Sequence, residues 1–156
     1  MRTHAPVLCA VDFSDDSEAA LLWAAAQAER EDAPLVVLHV VHDPASSPGF
    51  YRKPGAERLQ PMAEVASEML ADFVAGVRTR NPAAAGLGRI ETMLVDGLPS
   101  GRICEVAAEI GARLVVVGSR GRTGLPHVML GSVAERVAQT AEAPVTVVKT
   151  LEGGTR

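Results

Sequence analysis

Residues 114–133 read LVVVGSRGRTGLPHVMLGSV, and how this stretch is read decides the fold. The aliphatic run Leu114-Val115-Val116-Val117 stops at Gly118. Gly121 and Gly124 follow, then Leu125-Pro126, and Gly131-Ser132 opens an apolar helical pattern. The stretch predicts a buried strand, a glycine-rich loop and a helix N-terminus. That unit suits a phosphate. Glycines let the backbone come close to an anion. Free N–H groups at a helix start point at it, with the positive end of the helix dipole behind them. A tight strand-to-helix turn would explain the same glycines without a ligand.

The spacing Gly118, two residues, Gly121, nine residues, Gly131-Ser132 narrows the choice. The phosphate loop of common NTPases needs a Lys before its Ser or Thr, and Leu130-Gly131-Ser132 has none. A dinucleotide fingerprint should follow the first strand, where Asp12-Phe13-Ser14-Asp15 stands instead. The G-x2-G-x9-G-S pattern resembles the nucleotide-binding signature of the universal stress protein family, in its ATP-binding branch. The resemblance covers nearly the whole chain. It implies a Rossmann-like domain, similar to the adenine nucleotide alpha hydrolases, over residues 1–150, with 151–156 as a flexible tail.

Working outward, Ala5–Val11 is a short apolar run fit for a central parallel strand. Asp12 ends it, at the place where open α/β sheets bind ligands. Ser14 is the expected N-cap of a helix reaching about Arg30, with Asp15, Asp16 and Glu18 matched to the dipole. Pro34–Val41 is the second strand, and His39 within it reads as a satisfied core residue. The loop from Asp43 to Gly55 is rich in Pro, Gly and Ser. A long amphipathic helix follows over 57–80, its stripe formed by Leu59, Met62, Val65, Ala66, Met69, Leu70, Phe73 and Val77. Residues 82–88 read as a loop. Arg89–Val95 alternates like an edge strand with one wetter face. A helix over 99–110 is stopped by Gly111. The last helix spans 132–142 and the last strand 144–149. The alternation predicts a five-stranded parallel open sheet with helices on both faces. The order 3-2-1-4-5, which the resemblance also implies, puts Asp12 and Gly118 on one crevice.

Composition excludes other classes. A chain of 156 residues forms one domain with a real core. A net charge of −4 without a basic stripe argues against nucleic acid. No apolar run approaches the ~20 residues of a membrane span. No secretory leader precedes the first strand, so a cytoplasmic protein is expected. Cys9 and Cys104 make neither a disulfide framework nor a metal motif, and the four His show no metal spacing.

The resemblance also implies a site. ATP would lie at the ends of the first and fourth strands, contacted by Val11, Asp12, Phe13, Val40, Val117, Gly118, Ser119, Arg120, Gly121, Gly131, Ser132 and Val133. Asp12 would hold the ribose or base side, and Val40 would offer backbone groups to adenine. Ser132 would donate at the phosphates. Mg²⁺ or Mn²⁺ bridging the phosphates is compatible with this set. Arg120 or Arg122 is either a phosphate counter-charge or a solvated loop cation. A regulatory nucleotide binder acting on a protein partner is the leading reading. A weak ATPase or hydrolase is the rival, and a nucleotide-free family member the third. A triad of Ser132, His127 and Asp12 lacks a nucleophile elbow around Ser132. The strand Val145–Lys149, apolar and β-branched, closes one sheet edge and is expected to pair with its own copy in a homodimer.

Overall fold

The computed structural model describes residues 4–42, 61–120 and 130–150. Five strands alternate with four helices: β1 (Val7–Ala10), α1 (Asp15–Arg30), β2 (Leu35–Val41), α2 (Met62–Arg80), β3 (Ile90–Asp96), α3 (Pro99–Glu109), β4 (Leu114–Gly118), α4 (Ser132–Thr140) and β5 (Val145–Val148). All pairings are parallel, and the sheet order is β3-β2-β1-β4-β5. The expected order and class are therefore the observed ones.

The aliphatic runs form the inner strands because their side chains are buried on both faces. Every residue of β2 is buried, and Val7, Leu8 and Cys9 of β1 are sealed from solvent. Burial pushes the Cys9 thiol up to about 12, so it behaves as a small apolar side chain. Two core layers result. Val7, Cys9, Leu35, Val37 and Val116 pack toward α1 and α2. Leu8, Leu38, Val40, Val115 and Val117 pack toward α3 and α4. β3 lies at the edge and is only partly buried, as its alternation predicts.

Local signals set most boundaries. Ser14 caps α1, its hydroxyl oxygen accepting the Ser17 N–H at 3.2 Å. Gly111, at φ +62, stops α3 in the left-handed region. Three details differ from the sequence reading. α2 begins at Met62, with Pro61 immediately before it, and Met62 is exposed while Val74 joins the buried stripe. Residues 57–60, with Leu59, lie outside the described set. α4 ends at Thr140, two residues early, because Ala141 is already extended ahead of Pro144. Residues Ala85–Arg89 form a short 3₁₀ helix rather than a plain loop.

That 3₁₀ helix depends on a close approach. Leu87 is buried, and Gly86 lies against α1 so tightly that a Cβ there would sit 2.1 Å from the Ala25 carbonyl oxygen. Backbone cannot yield as a side-chain tip can. Gly86→Ala is expected to cost about 1–3 kcal/mol, the usual range for overpacking. Urea unfolding should show a lower midpoint at unchanged slope; an unshifted midpoint would mean that the contact is loose.

Candidate functional site

The site begins where β1 ends. β1 stops at Ala10, whereas β2 runs to Val41 and β4 to Gly118. The register pairs Ala10 with Leu38 and Cys9 with Val116. Extending it sets Val40 level with Asp12 and Gly118 level with Val11. Val11 still donates its N–H to Leu38 O at 2.8 Å. Main-chain direction alternates along a strand, so Val40, two residues on from Leu38, also faces the β1 side. Val41 faces β3 instead, accepting from Gly97 N–H. On β4, Ser119 N–H bonds Val148 O of β5, which turns Gly118 toward β1. A crevice thus opens past the end of the central strand, flanked by the main chains of Val40 and Gly118.

Asp12 stands at its floor within a hydroxyl cluster. Its Oδ1 accepts from Ser14 N–H at 3.1 Å, from Ser14 Oγ at 2.5 Å and from Ser17 Oγ at 2.6 Å. Ser17 Oγ also accepts the Asp12 N–H at 2.9 Å. Asp12 is therefore a turn residue in fact, whatever else it contacts. The next residue, Phe13, takes φ +69, a conformation costing a non-glycine residue about 1–3 kcal/mol. Its ring lies 4.3 Å from that of His39 and 5.5 Å from that of Phe73, measured between centroids. His39 is buried and its Nδ1 lies 2.8 Å from Val11 O. It is the satisfied core residue that the sequence suggests.

The glycine-rich loop is closed at its base. Gly131 N–H donates to Ser119 O at 2.7 Å, which draws the start of α4 against the end of β4. Gly131 is the N-cap of α4 and offers no side-chain cap. Ser132 and Val133 form the exposed first turn. Gly121, Arg122 and His127 lie outside the described residues. Val11, Val117 and Ser119 are buried beneath the site, so only their main chains are placed to face it. Beside it, the first turns of α3 and α4 frame a groove of about 440 Å³ lined by Leu98, Ser100, Ser132, Val133 and Arg136 among others.

One cluster escaped the sequence reading. Asp16, only 3% exposed, accepts the Arg120 N–H at 2.9 Å and Arg120 Nε at 3.2 Å. Thr150, just beyond β5, donates its hydroxyl to the same carboxylate and accepts from Arg120 Nη2 at 3.0 Å. Arg120, considered above as a phosphate counter-charge or a solvated cation, is thus held by Asp16. No local pattern marks a pair 104 residues apart. The approach also demands a glycine at 118, since a Cβ there would lie 2.9 Å from Asp16 backbone. Packing alone accounts for that glycine. Gly131 differs: its φ of −62 is open to any residue, so backbone conformation does not demand a glycine there.

The same fold recurs in known proteins. The model of the universal stress protein family matches residues 4–149. A universal stress protein of Mycobacterium tuberculosis is 40% identical over 148 residues, covering 94% of this chain but 46% of that protein. This chain therefore spans about half the length of such relatives. The Bacillus subtilis universal stress protein YxiE is 35% identical, with 92% of this chain and 97% of that protein covered. The Archaeoglobus fulgidus universal stress protein in complex with dAMP superposes with a TM-score of 0.66 at 27% identity, covering 95% and 100% of the two chains. A universal stress protein in complex with cAMP gives 0.66 at 25%, covering 96% and 100%.

The Asp16 cluster generates a pH prediction. Burial pushes this carboxyl up, but the Arg120 and Thr150 hydrogen bonds, with the Arg120 charge, outweigh it and hold it below the usual aspartate range. A depressed folded value stabilises the fold fully above the unfolded value and is lost as pH falls through the folded one. Asp16→Asn should lower the melting temperature at pH 7. The gap to the native protein should shrink as pH drops below about 4. A gap that stays constant across the acid range would mean that charge is not what Asp16 contributes.

Proposed function

The chain belongs to the universal stress protein family, and from that premise we propose that it binds ATP in the crevice beyond β1 and serves as a stress-response regulatory module. The observation that carries this reading is the start of α4. Its N-cap is Gly131, which has no side chain to cap it; the start is tied to β4 through Gly131 and Ser119, and set beside the gap that β1 leaves. Free N–H groups at such a start attract phosphate. A glycine at 131, which its backbone conformation does not require, leaves room for an oxygen to approach the main chain. The family relatives in complex with dAMP and cAMP support an adenine nucleotide as ligand.

Each residue then has a task. Val40 presents main-chain N–H and C=O to the base. Val11, Asp12 and Phe13 form the floor, with the Asp12 carboxylate toward the ribose. Gly118, Ser119 and Gly121 bound the phosphate loop, and Gly131, Ser132 and Val133 supply N–H groups and one hydroxyl. Arg120, held by Asp16, shapes the loop's first turn. Ser14 and Ser17 occupy Asp12 Oδ1, and Arg120 and Thr150 occupy Asp16. A bridging Mg²⁺ or Mn²⁺ would therefore draw its ligands chiefly from phosphate oxygens and water.

Calorimetric titration with ATP, AMP and cAMP tests the proposal directly, together with the identity of nucleotide released by acid from fresh protein. Asp12→Ala should weaken ATP binding by about 1.5–3 kcal/mol, as expected for a charged acceptor. It should also lower stability through loss of the Ser14 and Ser17 bonds. Reduced stability with unchanged ATP affinity would restrict Asp12 to its turn.

The assembly we propose is a homodimer through β5. This strand closes the sheet and is partly exposed throughout. Val148 faces β4, so Val147 directs its N–H and C=O outward, as an edge template. Two copies about a two-fold axis would pair antiparallel and satisfy both edges. Val147→Pro removes an outward donor while sparing the β4 ladder, a position where proline is tolerated. It is expected to convert the dimer to a monomer of 16.3 kDa in light scattering after size exclusion. A native protein that runs as that monomer at high concentration would refute the dimer.

A further inference from the structure

The end of β1 poses a question of hydrogen-bond supply. Had the parallel ladder continued, Val11 C=O would accept the N–H of Val40, as Leu38 O accepts from Val11 N–H. That bond does not form among the described residues. The carbonyl meets the His39 imidazole instead, at 2.8 Å. A carbonyl only accepts, so Nδ1 carries the proton and the tautomer is set. The ring stacks on Phe13, whose left-handed backbone takes the chain out of the sheet one residue after Asp12. One side chain on β2 thus holds both the last carbonyl of the ladder and the ring of the turn.

We propose that His39 is a positioning residue for base recognition: by taking the Val11 carbonyl, it leaves the Val40 N–H to the crevice, where it selects a purine whose N1 accepts a hydrogen bond. The proposal rests on the nucleotide-binding reading above and names the device that gives it base specificity. Adenine N1 accepts, and its 6-amino group donates. Val40 N–H and C=O on one side of the strand match that pair. Guanine reverses both roles, with N1–H donating and O6 accepting, and meets like against like. The side chain of His39 itself points to the α2 layer, beside Phe13 and Phe73, and touches no base. The route that the proposal assigns to it runs through the Val11 carbonyl.

Two variants separate this role from simple core packing. His39→Leu keeps an apolar body and removes the donor, so Val11 C=O can swing to Val40 N–H and lengthen β1. His39→Asn places its Nδ2 close to where Nδ1 stands and keeps the donor. Amide hydrogen exchange on the ligand-free protein reads the first consequence. The Val40 amide should exchange at least about tenfold faster than that of Leu38 in the native protein and in His39→Asn, and should slow to the Leu38 rate in His39→Leu. Titration reads the second. The ratio of ATP to GTP affinity should fall about threefold to tenfold in His39→Leu, the worth of one hydrogen bond, and be kept in His39→Asn. A packing role would lower melting temperature and leave the ratio alone. Protection of the Val40 amide in the native protein, or no change of it in His39→Leu, overturns the proposal. So does an unchanged ratio. Native protein that binds no nucleotide overturns the base-selecting role and the nucleotide reading together, while the exchange result still decides whether His39 sets the end of β1.

Discussion

The central strand of this sheet is shorter than the strands on either side, and the site follows from that shortfall. A parallel sheet obliges each strand to feed its neighbours' main chains. Where β1 stops at Ala10, Val40 on one side and Gly118 on the other lose the neighbour that the register would give them. Among the described residues, the crevice is therefore flanked by the main chains of Val40 and Gly118. Such a site is suited to holding a ligand by shape and hydrogen bonds.

Ending a strand in the middle of a sheet has a conformational cost, and nearby groups offset it. Phe13 enters the left-handed region, which non-glycine residues avoid. Its ring is gripped between His39 and Phe73. Asp12, Ser14 and Ser17 knit the turn by short hydrogen bonds that also cap α1. A cap, a turn and the floor of the crevice are thus one structure. A substitution at Asp12 therefore disturbs the turn and the cap of α1 together.

Most of the fold was legible in the sequence because its signals are local. Aliphatic runs such as Leu114–Val117 announce buried strands, and Ser14 and Gly111 announce helix ends. The order of strands was also open to reading, since it follows from the alternation of elements and the family resemblance. What stayed hidden depends on approach between distant segments. Gly86 is a glycine because Ala25 lies above it, and Gly118 because Asp16 does. From sequence, Asp16 read as one acid matched to the dipole of α1 and Arg120 as a phosphate counter-charge or solvated loop cation; their ion pair was not visible. Met62 sat at the right helical spacing for the core, but it is the first residue of α2 and is exposed. That Asp12, Val40 and Gly118 lie at one end of the sheet, with Gly131 at the start of α4, was legible from the order of the elements. The reasons that those segments end where they do were not.

Two helix N-termini, of α1 and α4, meet this end of the sheet beside the crevice, and they are not equivalent. α1 begins with a serine cap and carries Asp15, Asp16 and Glu18 in its first turn. Its dipole is already matched by fixed negative charge, and an incoming phosphate would meet three carboxylates there. α4 begins at Gly131 with no side-chain cap and has Glu135 as its one acidic residue in that turn. Asp16 sharpens the contrast, since it holds the Arg120 backbone N–H and guanidinium against α1. Among the described residues, the two helix starts thus differ in the charge they carry, and that of α4 is the less acidic. Two relatives in the family are in complex with nucleotides as different in charge as dAMP and cAMP.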